Sequence, residues 1–429
     1  MRFFNRLVSF FFIASLALGA AAQPASFVKV NAGHFVRNGN PYYFIGTNFW
    51  YGAILGSKGQ GGDRKRLKKE LDFLAKMGVN NLRVLVGADG PNGVPTKVEP
   101  TLQVSPGVYN DTILDGLDYL LKEMAKRKMV AVLYLTNSWE WSGGFGQYLA
   151  WNGYGEFPIL NFIGWESFKS VVNRFHECEP CKQQLQNHIR FIVSRTNRYT
   201  GKRYADDPAI MSWQIANEPR AFADKQKPAY ERWIAETAAF IKGLDPNHLV
   251  STGSEGEMGS EGDLAMYERV HNDKNIDYLT FHVWPKNWSW ISASDIEGTL
   301  GKAVDLTKSY IDRHAAIAQR LGKPVVMSEF GLPRDGHSYA PSSGTTLRDK
   351  YYSAVFEVVI QSARRNGVLA GCNFWAWGGF ARATPGHTFW AKGDDYMGDP
   401  AQEEQGLNSV FATDSTVDLV RQCVKELKK

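Results

Sequence analysis

Eight short β-prone runs alternate with long amphipathic segments along nearly the whole chain, and this alternation restricts the fold more than any other feature of the sequence. The runs are "YYFIGTNFW" from Tyr42, "NLRVLV" from Asn81, "MVAVLYLT" from Met129, "IMSWQIAN" from Ile210, "HLVSTG" from His248, "IDYLTFHVW" from Ile276, "PVVMSEFG" from Pro324 and "GCNFWAW" from Gly371. Several are apolar almost throughout, the pattern of parallel strands covered on both faces. Helical segments fall between most of them. In "DRKRLKKELDFLAKMG", Asp63 is placed to cap a helix, Leu67, Leu71 and Leu74 share one face, and Gly78 ends it. Similar patterns cover 111–126, 182–198, 228–242, 302–320, 345–365 and 417–428. The expectation is a single-domain α/β chain folded as a (β/α)8 TIM barrel, with an open doubly wound sheet as the rival. The glycines of "GSKGQGGD" have neither GxGxxG nor Walker spacing, so nothing favours that rival.

The first 22 residues read as a signal peptide: Arg2 and Arg6 precede a short apolar stretch, and small residues lead to a cut after Ala22. Residues 23–429 are then expected to be the mature domain, secreted or periplasmic, with no membrane insertion. Losing the two arginines lowers the net charge from +5 to +3, too mild an excess to imply a nucleic-acid partner. The chain is expected to be a monomer. Four cysteines remain, Cys178 and Cys181 in "CEPC", then Cys372 and Cys423. A second CxxC or a His pair for zinc is missing, so no metal and no cofactor are expected. Disulfides suit an exported chain; the favoured pairing is 178 with 181 and 372 with 423, one of three connectivities the sequence permits.

In a (β/α)8 barrel the groups at the C-terminal strand ends surround the active site. Those positions hold Arg83 on the second strand, Asn217 and Glu218 after the fourth, His282 and Trp284 on the sixth, Glu329 on the seventh, and Trp375 and Trp377 on the eighth. Each glutamate follows an apolar strand, where an unpaired carboxylate is costly to bury. Taken singly, either reads equally well as half of an ion pair or as a loop cap. A pair converging on one sugar ring can cleave a glycosidic bond, and mutual repulsion would keep one of them protonated. Nine of 13 tryptophans, among them Trp50, Trp139, Trp284, Trp375 and Trp377, lie at or just past these strand ends, where their rings suit the CH faces of pyranose units. Arg83 could orient a carboxylate or be a barrel-bottom partner, Asn217 could bond a sugar hydroxyl, and His282 could be structural or touch substrate. No zinc-protease motif and no GxSxG elbow is found.

These residues resemble glycoside hydrolase family 5, and within it the endo-β-1,4-mannanases. The resemblance rests on "GTNFWY", "NNLRV", "LTNSWEWSGGFGQYLAW", "DDPAIMSWQIANEPR", "FHVWPKNWSW", "VVMSEFG", "FWAWGG" and "GDDYMGDPAQEEQGLNSVF". It implies that Glu218 is the acid/base and Glu329 the nucleophile of a retaining enzyme. Trp50, Arg83, Trp139, Asn217, His282, Trp284 and Trp375 would line the substrate site. Trp284 stands where many members have a Tyr, so an indole NH would donate to the nucleophile, and the third strand lacks the His of cellulase-like members. The expected activity is internal cleavage of β-1,4-mannosidic bonds in mannan, glucomannan or galactomannan. Alternatives are an exo-β-mannosidase, a β-1,4-glucanase, or a non-catalytic polysaccharide-binding protein.

Overall fold

A computed structural model describes residues 26–428; the expected signal peptide lies outside them. The eight strands form as expected: β1 (Phe44–Asn48), β2 (Asn81–Leu85), β3 (Val130–Tyr134), β4 (Ile210–Gln214), β5 (Leu249–Ser251), β6 (Leu279–Val283), β7 (Val325–Phe330) and β8 (Leu369–Phe374). They run parallel in the spatial order 5-4-3-2-1-8-7-6. The ends of that order meet where the Asp277 amide donates to the Val250 carbonyl at 2.9 Å and the Val250 amide donates to Asp277 Oδ2 at 2.6 Å, so the sheet is a nearly closed barrel.

Every strand residue is buried, because one face of each strand meets the barrel interior and the other meets helices. The helices are α1 (Arg64–Met77), α2 (Asp111–Lys126), α3 (Glu179–Val193), α4 (Lys227–Leu244), α5 (Leu264–His271), α6 (Ile296–Leu321), α7 (Thr346–Arg364) and α8 (Thr416–Leu427). On α1, Asp63 Oδ1 accepts from the Arg66 amide at 2.8 Å, Leu67, Leu71 and Leu74 are fully buried, and Gly78 ends the helix at φ +85°. The short α5 lacks a counterpart among the sequence expectations. Its signal is an Asp263 cap followed by buried Met266, Tyr267 and Val270, about two turns and too brief for periodicity to stand out.

Inside the barrel the layers change character from bottom to top. Phe44, Val130, Val132, Met211, Leu249, Tyr278 and Val326 form an apolar floor with Val28 and Phe35 of an N-terminal hairpin. Above it, Asn373 Nδ2 donates to Asn81 Oδ1 at 3.0 Å; a Cβ on neighbouring Gly46 would lie 2.5 Å from that amide nitrogen, so the layer admits only glycine there. Polar, tightly packed side chains thus begin within the strands and continue up to the mouth.

Two of the expected structural features differ. Cys178 and Cys181 are bonded, but Cys372 on β8 and Cys423 on α8 are free, buried thiols. They pack as small apolar groups, and burial pushes the Cys372 thiol well above its ordinary value and that of Cys423 up to about 11. Trp377 does not face the mouth. It is fully buried, its indole NH donating at 2.8 Å to Glu70 of α1, because the short strand Trp377–Gly379 pairs with Val410–Phe411 and turns that ring outward to the helix layer.

Candidate active site

The segment after β4 stays paired as it climbs: the Asn217 amide donates to the Thr136 carbonyl at 2.8 Å, and the Glu218 amide to Gly253 at 3.0 Å. Glu218 then adopts φ +49°, a left-handed conformation that costs a residue with a Cβ on the order of 1–3 kcal/mol. Such strain persists only where surrounding structure holds it, and Pro219 bars the strand from continuing. The turn out of β4 and the presentation of the carboxylate are therefore one feature. Glu329 is the fifth residue of β7 and pairs with His282 on β6, next to a register shift between Phe281 and His282. That irregularity brings His282 beside both glutamates.

The two carboxyl groups converge. One oxygen of Glu218, one oxygen of Glu329 and a ring nitrogen of His282 all lie within 4.8 Å of one another. Glu329 Oε1 accepts from Arg83 Nη1, and its Oε2 accepts from the Trp284 indole NH at 3.2 Å, the donor-only bond expected from a Trp at that position. Glu218 Oε2 accepts from the Trp139 indole NH, while its Oε1 meets His282 Nδ1 at 2.6 Å. His282 Nε2 reaches Ser328 Oγ at 3.0 Å.

Arg83 is fully buried beneath the pair and touches Glu329, so of the two readings left open by the sequence it takes that of a carboxylate-orienting group and not of a barrel-bottom partner. Besides Glu329 it donates to Gln214 Oε1 at 2.7 Å, Asn48 Oδ1 at 3.1 Å and Asn217 Oδ1 at 2.8 Å. Asn217 in turn donates to Asn137 Oδ1 at 3.1 Å. With its oxygen taken by Arg83 and one N–H by Asn137, it keeps a single N–H for a sugar hydroxyl.

Burial raises both carboxyls above the usual range, and the charge of Glu218 raises Glu329 further. Burial lifts Glu329 well above its ordinary value despite the opposing Arg83 cation; the direct guanidinium contact is the feature that favours the ionised form at Glu329 over Glu218. Burial, helped by Arg83, holds His282 well below its ordinary value, so its ring is neutral. In the tautomer that donates Nε2–H to Ser328, the Nδ1 lone pair is free to accept the Glu218 proton. The sequence reading missed a third carboxylate, Glu255. Buried and pushed up to about 7, it is clamped by Arg220 at 2.5 Å, and the Arg220 guanidinium lies 5.4 Å from the Trp139 ring centre. The signal was Arg220, two residues past Glu218 and too long a cation to leave unpaired in a buried turn.

The aromatic residues divide. Trp139 and Trp284 are part-exposed and touch the carboxyls. Trp375 is 3 % exposed, edge-on to Trp284 at 5.9 Å and to Trp141 at 6.4 Å. Trp50 is 2 % exposed: its NH donates to the Gly398 carbonyl at 2.8 Å, and its ring is enclosed by Trp141 at 6.0 Å and Tyr396 at 5.8 Å. Expected among the residues lining the substrate site, it forms a closed wall there, because the segment after β8 folds back over it.

Two carboxyl groups meeting across the mouth of a (β/α)8 barrel, one protonated and one ionised, are the equipment of a glycoside hydrolase. The family follows from comparison: residues 25–429 match the GH family 5 beta-mannosidase-like family, and the chain belongs to it. Among curated relatives, mannan endo-1,4-beta-mannosidase 1 of Oryza sativa subsp. japonica is 31% identical over 367 residues, 81% of this chain and 78% of the relative. Mannan endo-1,4-beta-mannosidase 7 of Arabidopsis thaliana is 30% identical over 372 residues, 83% of this chain and 79% of the relative. Among solved structures, the glycoside hydrolase family 5 mannosidase from Rhizomucor miehei is 36% identical with a TM-score of 0.86, over 94% of this chain and 98% of that one. The endo-1,4-beta-mannanase from the same organism is 25% identical with a TM-score of 0.68, over 94% and 100%.

Proposed function

We propose that the enzyme hydrolyses β-1,4-mannosidic bonds with retention of configuration. The observation that carries this reading is the convergence of Glu218 and Glu329, one oxygen of each lying within 4.8 Å of the other, an approach in keeping with the ~5–5.5 Å spacing of retaining pairs. The ionised Glu329 attacks the anomeric carbon as the bond to the leaving oxygen breaks, and Glu218 gives its proton to that oxygen. Water then adds to the same carbon, Glu218 takes one of its protons, and the ester to Glu329 is released. Mannose as the sugar is supported by the family and by the names of the relatives, one of them solved in complex with mannosyl-fructose.

Within that chemistry, removal of a terminal mannose is the mode the geometry supports best. Glu218 and Trp139 mark the leaving-group side, so the non-reducing part of a longer chain would have to run from Trp375 towards β1. There Trp50 is walled in by Trp141 and Tyr396, and the Tyr396 hydroxyl bonds the Glu99 carbonyl, joining the loops after β2 and β8. Glu403 faces the Trp375 indole at this closed end, and among the described residues neither its Oε2 nor Trp375 Nε1 has a protein partner. Buried polar groups without partners suit the hydroxyls of a last sugar. Internal cleavage, the mode expected from the motifs, is the second reading, favoured by the curated relatives named as endo-acting. A product profile on mannotetraose separates them. Mannose and mannotriose as first products support the closed end, whereas mannobiose as the main first product restores internal cleavage.

We further propose that the chain is secreted, on the signal-peptide pattern of residues 1–22 and the Cys178–Cys181 bond, which suits an oxidising compartment. N-terminal sequencing of protein from the culture medium should begin at Gln23; a retained Met1 in soluble cell extract would refute export.

A further inference from the structure

His282 has three neighbours at its ring nitrogens, and only two of them are the catalytic carboxyls. Nδ1 lies 2.6 Å from Glu218 Oε1 and 3.4 Å from Glu329 Oε2. The third neighbour is Ser328 Oγ, 3.0 Å from Nε2. Ser328 is buried and directly precedes the nucleophile on β7, and its carbonyl accepts from Asn48 Nδ2 at 3.0 Å, which ties this part of the strand to β1. Among the described residues, the Ser328 hydroxyl has no hydrogen-bond partner besides His282.

The two neutral tautomers of the ring differ in what they leave unmade. With hydrogen on Nε2, Ser328 Oγ is the acceptor, and the serine's own buried O–H has no group to receive it. Nδ1 then presents a lone pair to Glu218 Oε1. A protonated Glu218 bonds that lone pair only by turning its proton away from the substrate, and the carboxylate left after proton transfer would face it at 2.6 Å. With hydrogen on Nδ1, both faults disappear. Ser328 O–H donates to Nε2, and Nδ1–H donates to Oε1 whether Glu218 is neutral or ionised. The acid proton then resides on Oε2, the oxygen that accepts from the Trp139 indole NH on the leaving-group side.

We propose that Ser328 is a positioning residue: by donating to His282 Nε2 it holds the ring in the Nδ1–H tautomer, which keeps the Glu218 proton on the oxygen that delivers it. Its effect on rate rests on the glycosidase reading above, whereas the tautomer itself is read without any turnover. Neutron diffraction from a deuterated crystal of the parent enzyme locates the hydrogens directly. Deuterium is expected on His282 Nδ1 and on the Ser328 oxygen, pointing at Nε2; deuterium on Nε2 would overturn the proposal even in a fully active enzyme. Ser328→Ala and Ser328→Thr test the consequence. The Ala variant should lose roughly 10-fold in kcat on mannotetraose with KM little changed, and Thr, which keeps the hydroxyl, should regain most of it. The basic limb of kcat/KM should also move upward in the Ala variant, because Glu218 loses a donor that favours its ionised form. The other charged and titratable groups that face His282 and Glu218, namely Arg83, Arg220, Glu255 and Glu329, are the same in both proteins, so the movement reports the tautomer. A limb that stays in place, or a Thr variant with the parent's melting temperature and the Ala variant's rate, would refute the role of the hydroxyl. Should the parent enzyme cleave no β-mannoside, the functional reading fails by itself, and the neutron result alone decides the tautomer.

Discussion

A Glu329→Gln enzyme should lose activity by roughly 10⁴-fold or more, on aryl mannosides and mannan oligosaccharides alike. The amide keeps the shape of the side chain, and its one oxygen can still accept from Arg83 at the expense of the weaker Trp284 bond, so the loss reports mainly the missing nucleophile and not a collapsed site. Glu218→Gln should behave differently. A dinitrophenyl leaving group departs without a proton, so the first step on that substrate should survive, while natural oligosaccharides that need protonation are barely cleaved. Burst kinetics with dinitrophenyl β-mannoside check this: a rapid first release followed by slow turnover is expected for the Glu218 variant and not for the Glu329 variant. If the two variants gave identical losses across leaving groups, the division of roles between them would be wrong.

The second large effect is expected at Arg83. Replacing it by Met removes a buried cation with contacts to four side chains and leaves Glu329 without its counter-charge, a change worth about 3–5 kcal/mol of stability. It should also move the pH profile. Arg83 opposes the burial-driven rise of the Glu329 carboxyl, so without it that carboxyl holds its proton to higher pH. Glu329 must be ionised to attack, so the acidic limb of kcat/KM moves upward and activity at neutral pH falls. Arg83→Lys keeps the charge but not the planar fork that spans Gln214, Asn217 and Glu329, and it should show a smaller shift with a comparable loss of melting temperature. An acidic limb that stays in place in the Met variant would remove Arg83 from the electrostatics of the pair.

Much of this architecture is readable in the chain before any coordinates. The eight strands were visible because parallel strands buried on both faces leave largely apolar, β-prone runs, as at 324–327. Seven of the eight outer helices carried an apolar stripe long enough to show its period. The eighth, α5, is two turns long and offers too few residues for a period to declare itself. Strand-end logic found Glu218, Glu329 and the Trp284 contact, since each lies within a strand or no more than four residues past its end. It misjudged Trp50 and Trp377 because sequence position fixes where a ring starts but not what folds over it; the segment 377–411 covers the first and turns the second away from the mouth. Glu255 and Glu403 were invisible for a related reason: both sit on loops, and the groups they face, Arg220 and Trp375, follow other strands. The unbonded Cys372 and Cys423 show the limit of counting cysteines, because two thiols in an apolar layer are already well placed as packing atoms.

The central claim is that a covalent bond forms between the sugar and one named carboxylate. A 2-deoxy-2-fluoro-β-mannoside with a good leaving group slows the second step more than the first, so the glycosyl-enzyme accumulates and can be digested and sequenced by mass spectrometry. A fluoromannosyl adduct is expected on the peptide "VVMSEFG", at Glu329. An adduct on Glu218, or inverted α-configured mannose released with no adduct at all, would contradict it.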